Sequence, residues 1–229
     1  MAHDERYLDI RIVARRSGAT VVGHKTLCDY LKWRSHIDAA KLVAVGQFET
    51  CDLSGFKISA FKWKHRDINF YKALTKAVFH GNATQLSWAW SSATNAPFYS
   101  PYMGCHVELP GGLTVLSYNE GFNTKMTAHE IAGIGGRYRP DVLLAGMQLD
   151  FTADVARGAA ALNPKIVVLY APHDHFHRMT GVTSRPWSGF KSAVEKSLPN
   201  ARVIIAEPGA AIDAVTGEVT QQPVAAKAA

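Results

Sequence analysis

The sequence lacks the long apolar segments that would place a protein in a membrane or direct it out of the cell. No stretch approaches the roughly 18 consecutive apolar residues that a membrane span needs, although 47% of the 229 residues are hydrophobic. The N-terminus, MAHDERYLDI, has no apolar core of the kind found in secretory signals. We therefore expect a cytoplasmic protein with no membrane partner, long enough to form one large domain.

Cysteine is scarce and unpaired in its spacing. The three residues, Cys28, Cys51 and Cys105, are odd in number and far apart, and no C-x-x-C pair is present. This pattern excludes a disulfide framework and a cysteine-based zinc finger. It predicts free thiols in a reducing compartment.

The charge is mildly basic and dispersed along the chain. The chain has 25 Lys and Arg against 19 Asp and Glu, a net charge of +6, and its densest basic cluster is Lys62, Lys64, His65 and Arg66. Nucleic-acid binding would need a basic stripe with interleaved aromatic residues, which is absent. The cluster is interpreted as a solvated face or as a docking site for an anionic substrate.

Two common catalytic signatures are also missing. The sequence contains neither a G-x-x-x-x-G-K-[ST] phosphate-binding loop nor a G-x-S-x-G nucleophile elbow. The glycine-rich stretch 133–136 precedes Arg137 instead of following a strand. It is interpreted as part of a helix terminus and not as a dinucleotide-binding loop.

Short apolar runs alternate with segments of helical periodicity, which predicts an α/β layered domain over residues 1–219. The low-complexity tail 220–229 is expected to be disordered. The predicted helices are 9–16, 25–33, 71–79, 125–134, 153–162 and 188–197, and the predicted strands are 20–22, 42–45, 56–63, 103–109, 113–118, 141–145, 166–170 and 201–206. The two strands around Pro110-Gly111-Gly112 are predicted to form a hairpin.

Histidines and carboxylates lie at several predicted strand ends. These clusters are His3-Asp4-Glu5, His65-Arg66-Asp67, Asn119-Glu120 and His173-Asp174-His175. Strand ends face a common crevice in layered α/β proteins, so residues distant in sequence can converge there. Imidazole nitrogens and carboxylate oxygens are zinc ligands, and the alternative is a set of solvated polar loops.

Several other polar residues are assigned to structural or surface positions. His106, inside a predicted strand, is expected to be a core or edge histidine with its hydrogen bonds satisfied. Arg157 and Lys165 are expected to be solvated.

The order of segments resembles the metallo-β-lactamase-fold hydrolase superfamily, and most nearly its branch of ascorbate-6-phosphate lactonase-like hydrolases. The similar stretches reach from the start of the chain to about residue 212. They are AHDERYLDIRIVARRSGATVVG, FKISAFKWKHRD, GGLTVLSYNEGF, RPDVLLAGM, NPKIVVLYAPHDHF and ARVIIAEPGAAI. The resemblance implies a four-layer αββα sandwich and a hydrolase that acts through a metal-activated water.

The resemblance also implies a first group of site residues. In that superfamily a loop carries H-x-H-x-D-H, and here His3 and Glu5 take the positions of its second His and its Asp. Met1 and Arg6 take the positions of the first and last His. A guanidinium cannot bind a metal and would repel a second cation. We therefore expect one zinc ion, with Arg6 available for an anionic group of the substrate.

The remaining ligands implied by the resemblance follow later strands. His65 corresponds to the next His, Glu120 to the bridging Asp and His173 to the final His. An alignment shifted by one residue would place Asn119 or Pro172 at the last two positions.

Asp174 or His175 would then support the metal ligands or donate a proton. The alternatives for the ligands are a frayed terminus around His3, a solvated His65, and a Glu120 that accepts hydrogen bonds in a turn.

Two functions follow as hypotheses. The first is a metal-dependent hydrolase of a small ester, lactone or phosphorylated molecule. The second is a non-catalytic protein of the same fold that binds an anionic ligand or a protein partner. Strands that precede the first motif in the superfamily have no counterpart here. We therefore expect either a sequence truncated at its N-terminus or a shortened sandwich that covers its open edge, for instance as a homo-oligomer.

Overall fold

The computed structural model describes residues 5–64, 102–118, 125–147, 151–171, 187–207 and 209–221. Side-chain burial is described from Ile10 onward, except at Tyr118 and Gln221. The predicted helix 71–79 lies outside these residues. The chain divides into two compact units, a first unit of residues 1–51 and 59–103 and a second unit of residues 52–58 and 104–229.

The described part of the first unit, up to residue 51, contains two helices and a small parallel sheet. Its elements are α1 (Glu5–Ser17), β1 (Val21–Gly23), α2 (Lys25–Ser35), a 3-10 turn (Ala39–Lys41) and β2 (Leu42–Ala44). Strands β1 and β2 pair in parallel from Val21↔Leu42 onward. Ala14, Leu31 and Ile37 form a buried cluster that joins both helices to this pair, because each helix presents an apolar stripe to it.

A hairpin follows, of which the sequence predicted the second strand and missed the first. Its strands are β3 (Thr50–Leu53) and β4 (Phe56–Lys62), and the Thr50 and Ser59 hydroxyls lie 2.7 Å apart across the pair. Ser54 and Gly55, between the strands, both have positive φ, 54° and 85°. Two such residues make the turn that matches the twist of a β-hairpin.

Most of the second unit is built on a mixed sheet. Its strands are β5 (Met103–Glu108), β6 (Thr114–Tyr118), β7 (Val142–Gly146), β8 (Ile166–Tyr170) and β9 (Arg202–Ile205). The strands of the sheet follow the order β3-β4-β5-β6-β7-β8-β9. Strands β5 and β6 form the predicted antiparallel hairpin, and β6 to β9 pair in parallel.

Three helices connect the parallel strands. They are α3 (Ala128–Tyr138), α4 (Thr152–Leu162) and α5 (Trp187–Ser197), and α4 packs against both others. Helix α3 starts later than predicted because Thr127 caps it in a reciprocal capping box with Glu130. A Cβ added at Gly135 of α3 would lie 3.1 Å from the Ala161 carbonyl oxygen, so the two backbones approach closely there.

The two faces of the parallel strands are covered differently. Leu116, Leu143 and Val167 lie fully buried on one face. The opposite face carries Val142, Ile166, Val168 and Ile204, against which Ile212 and Ala214 pack. Ile212 belongs to an unpredicted hairpin, which covers this face.

That hairpin consists of β10 (Ala210–Ile212) and β11 (Val219–Gln221), paired antiparallel. Thr220 and Gln221, which the sequence assigned to the tail, are therefore part of a strand. No helix within the described residues is long and apolar enough to cross a membrane.

Candidate functional site

Three neighbouring parallel strands of the second unit end together at one edge of the sheet. The register pairs Tyr118 of β6 with Ala145 of β7, and Gly146 of β7 with Tyr170 of β8. Backbone bonds continue just beyond this register, where the Met147 amide donates to the Tyr170 carbonyl at 2.7 Å. The chain leaves β6, β7 and β8 from this same edge, which we call the ending edge.

Two of the expected metal ligands follow the ending edge at short distances along the chain. Glu120 comes two residues after the end of β6, and His173 comes three residues after the end of β8. Strands β6 and β8 are about 10 Å apart, since one strand lies between them. Two or three residues of extended chain reach about 7–10 Å. A chain of that length leaving β6 or β8 could therefore span the distance between the two strand ends.

Described residues lie on either side of the segment that carries Glu120. It begins at the end of β6, and beyond it Met126 is buried with only 3% of its surface exposed. The Arg157 guanidinium on α4 donates to the Met126 carbonyl at 2.7 Å and pairs with Asp154 at 3.1 Å. Arg157 is thus a tether and not the solvated residue that the sequence indicated. The signal available in the sequence was Asp154, three residues earlier on the same helix.

Only two of the expected site residues, Glu5 and Arg6, lie in the described part of the chain. Glu5 and Arg6 form the first turn of α1 in the first unit, while Glu120 and His173 belong to the second unit. All expected site residues other than Glu5 and Arg6 lie outside the described part of the chain. The full set outside it is His3, His65, Glu120, His173, Asp174 and His175.

Within residues 5–64 and the later described ranges, no three His, Cys, Asp or Glu side chains are grouped so that they could hold a metal. Each of the four described histidines lies in, or at the end of, a helix or strand. His24 caps α2, His36 ends α2 in the left-handed conformation, His106 is buried on β5, and His129 lies in the first turn of α3. The other six histidines of the chain lie outside the described residues.

The donor chemistry of the expected set fits a zinc ion. His65, His173 and Glu120 offer two imidazoles and a carboxylate, which are donor types that catalytic zinc sites use with one position left open.

The parallel strands begin at the opposite edge of the sheet, which we call the starting edge. Asp141 lies at this edge. Its carboxylate accepts from the Thr114 amide at 3.0 Å and hydroxyl at 2.9 Å, and it pairs with Lys165 at 2.8 Å. The hydrogen bond from Lys165 lowers the pKa of Asp141, and the Thr114 bonds act in the same direction against the effect of burial. Sequence analysis had treated Lys165 as solvated; its side chain is 82% exposed but bonded.

No protein-family model matches the chain, and no curated protein matches it in sequence. Among solved structures, it is similar to the crystal structure of the metallo-β-lactamase fold protein YhfI from Bacillus subtilis, with a TM-score of 0.52. The fold is of the metallo-β-lactamase type. The match covers 95% of this chain and 72% of YhfI at 11% identity.

The predicted α/β class and metallo-β-lactamase type of fold are confirmed by this similarity. An identity of 11% supports the fold alone. The relation to lactonase-like hydrolases, the metal and the substrate remain predictions.

Proposed function

We propose that the protein is a metal-dependent hydrolase that acts on a small ester, lactone or phosphorylated molecule. The observation that supports this most strongly is the ending edge of a metallo-β-lactamase-type sheet, which the chain leaves two residues before Glu120 and three residues before His173. Substrate sites of parallel α/β sheets lie beyond the carboxyl ends of the strands.

His173, Glu120 and His65 would hold one zinc ion, with His3 and Glu5 as further candidates from the start of the chain. A bound zinc supplies a Lewis acid and lowers the pKa of water, so that hydroxide is available at neutral pH. The single ion follows from Arg6, which stands where the superfamily has a second-metal ligand and whose charge opposes a second cation.

The other site residues would handle charge and protons. Arg6 would bind an anionic group of the substrate, since a guanidinium forms paired hydrogen bonds with carboxylates and phosphates. Asp174 or His175, directly after His173, would orient a ligand or protonate the leaving group. A small-molecule substrate, a cytoplasmic location and self-association accompany this proposal.

The second candidate is a non-catalytic protein of the same fold. Met1 and Arg6 in place of two histidines favour it, because a thioether binds zinc more weakly than imidazole and a guanidinium does not bind it. Arg6 would then attract an anionic ligand or an acidic partner surface.

Metal content separates the two candidates. Protein purified without added metal is expected to contain about one equivalent of zinc by mass spectrometry, as a three-ligand catalytic site would. His173→Ala, His65→Ala and Glu120→Gln should each lose most of it. His129→Ala, at an exposed position on α3, is the matched control and should keep it.

Hydrolysis of a chromogenic ester, a lactone and a phosphodiester should follow the zinc content and stop with a chelator. A protein free of zinc, with its stability unchanged by chelator, would refute the hydrolase proposal. Zinc that is retained without any hydrolysis would favour the binding protein.

A further inference from the structure

A single buried histidine lies between the sheet and α3 in the second unit. His106 on β5 is only 7% exposed. Its register partner on β6 is Leu116, which is fully buried. The His106 ring lies against the ring of Tyr138 at the end of α3, with centroids 4.9 Å apart and planes tilted by 31°. His106 is therefore part of the packing of α3 on β5.

The hydrogen bonds of His106 define its protonation. The ring donates to the Tyr138 backbone carbonyl, whereas Nε2 is buried and has no hydrogen-bond partner in the described part of the chain. Because Nε2 has no partner there, the neutral tautomer that satisfies this bond is assigned with its proton at Nδ1. Nε2 is left as an acceptor with no partner among the described residues, which is unusual for a buried polar atom.

The charged groups around His106 already have partners. Glu108, on the same strand, pairs with Lys57 at 3.1 Å, and Asp141 pairs with Lys165 at 2.8 Å. On α3, the Arg137 guanidinium lies 5.5 Å from the Tyr138 ring centroid and adds a positive charge to this region. A second proton on His106 would meet no uncommitted carboxylate among these groups.

We propose that His106 makes the packing of α3 on β5 sensitive to acid. A proton added at Nε2 would create a charge in a buried site that has no acceptor among the described residues, and the charge is relieved when the end of α3 separates from β5. This sensitivity is independent of the proposed hydrolase function. It would act from the side of the sheet that carries Tyr138 and not through the expected metal ligands.

The direction of the pH effect follows from burial. Burial lowers the pKa of His106, and this outweighs the opposing effects of Glu108, the Tyr138 carbonyl and Asp141. In the unfolded chain the same side chain binds a proton near its ordinary pKa of about 6.5. Stability is therefore complete above that value. It falls as the pH drops from about 6.5 to the lower pKa of the folded state.

His106→Phe tests the proposal, because it keeps an aromatic ring beside Tyr138 and removes the titrating group. From pH 7.5 to 5.5 the unfolding constant of the wild type in urea should rise up to about tenfold more than that of the variant. His129→Gln, on the exposed face of the same helix, is the control and should keep the wild-type pH dependence.

Hydrogen exchange gives a local measurement. After correction for intrinsic rates, amides of β5 and α3 should exchange faster at pH 5.5 than at pH 7.5 in the wild type, and not in His106→Phe. Equal pH dependence in the two proteins would overturn the proposal.

If the Phe variant does not fold, the NMR titration of His106 in the wild type decides. A ring that stays neutral to pH 5.5 supports the proposal. A ring that titrates at 6.5 or above overturns it.

Discussion

The two edges of the parallel strands in the second unit are built from different groups. At the starting edge, side chains of Thr114, Asp141 and Lys165 bond to one another and to the backbone. At the ending edge, the described bonds are backbone bonds, such as the one from the Ala206 amide to the Leu169 carbonyl at 2.8 Å. The proposed site residues Glu120 and His173 belong to the segments that follow β6 and β8 in the sequence.

The difference indicates that the two edges of this sheet have different roles, one in stability and the other in binding. The polar groups of the starting edge satisfy each other and keep β6, β7 and β8 in register, so they contribute to stability. At the ending edge, the bonds found among the described residues are backbone bonds, and binding and catalytic residues of rigid scaffolds are often placed on the segments that follow such strands. Changes at the starting edge should therefore reduce stability and leave metal binding intact.

Of the substitutions considered, Asp141→Ala should reduce the free energy of unfolding the most. It removes the acceptor of the Thr114 amide and the partner of Lys165, and we expect a loss of about 2 kcal/mol in the free energy of unfolding in urea. Asp213→Ala, an exposed aspartate that also accepts backbone amides, should cost less. Bound zinc should be unchanged in both variants. An unchanged urea midpoint for Asp141→Ala would contradict the structural role of this edge.

The same network has a pH signature. Because the pKa of Asp141 is lowered in the folded state, its contribution is present above the ordinary value and is lost as the pH falls through the folded one. Asp141→Asn should therefore lose less stability than the wild type between pH 5 and pH 3.

Gly135→Ala tests the close contact between α3 and α4. A Cβ at Gly135 would lie 3.1 Å from the Ala161 carbonyl oxygen and 3.2 Å from the Leu162 Cα, both backbone atoms. We expect a loss of about 1–2 kcal/mol in the free energy of unfolding from this overpacking.

Gly136→Ala is the matched control, since no atom lies within 4 Å of its added Cβ. It should stabilise the protein by up to about 1 kcal/mol through helix propensity. Equal effects of the two substitutions would contradict the close helix approach.

Arg157→Met should have the smallest effect on stability and is the most informative about the ending edge. It keeps part of the aliphatic stem but removes the donors to the Met126 carbonyl and Asp154. We expect a loss of about 1 kcal/mol and faster hydrogen exchange around residue 126.

If Glu120 is a ligand, Arg157→Met should also weaken zinc binding. Lys191→Met, which removes a more exposed ion pair on α5, should change neither quantity. Unchanged exchange around residue 126 in Arg157→Met would show that the tether is not needed.

The sequence predicted the parallel strands well because such strands are buried on both faces and are therefore continuous apolar runs. Val142–Gly146 and Ile166–Tyr170 differ from their predicted bounds by one residue at most. β3 was missed because its burial alternates and half of its side chains are exposed. β10 and β11 were missed because Ile212 acquires its strand environment from the distant Ile166 and Ile204.

The candidate site was less predictable than the fold. Spacing could place Glu120 and His173 after strands, but only the register of β6, β7 and β8 brings those strand ends to one edge. His106 was correctly assigned to the core or an edge and was expected to be satisfied, yet its Nε2 has no partner among the described residues. The orientation of a buried ring depends on Tyr138, 32 positions later in the chain, and local sequence carries no information on such a contact.

The parallel pairing also determines how freely the connections can vary in length. The β8–β9 register joins Ile166 to Arg202, so pairing these strands already closes a loop of 36 residues. Loop-closure entropy grows only with the logarithm of length, and a further 15 residues after β8 would cost about 0.3 kcal/mol. Insertions beyond the ending edge are therefore expected to be nearly neutral for folding, so the length of chain there can change at little cost in stability.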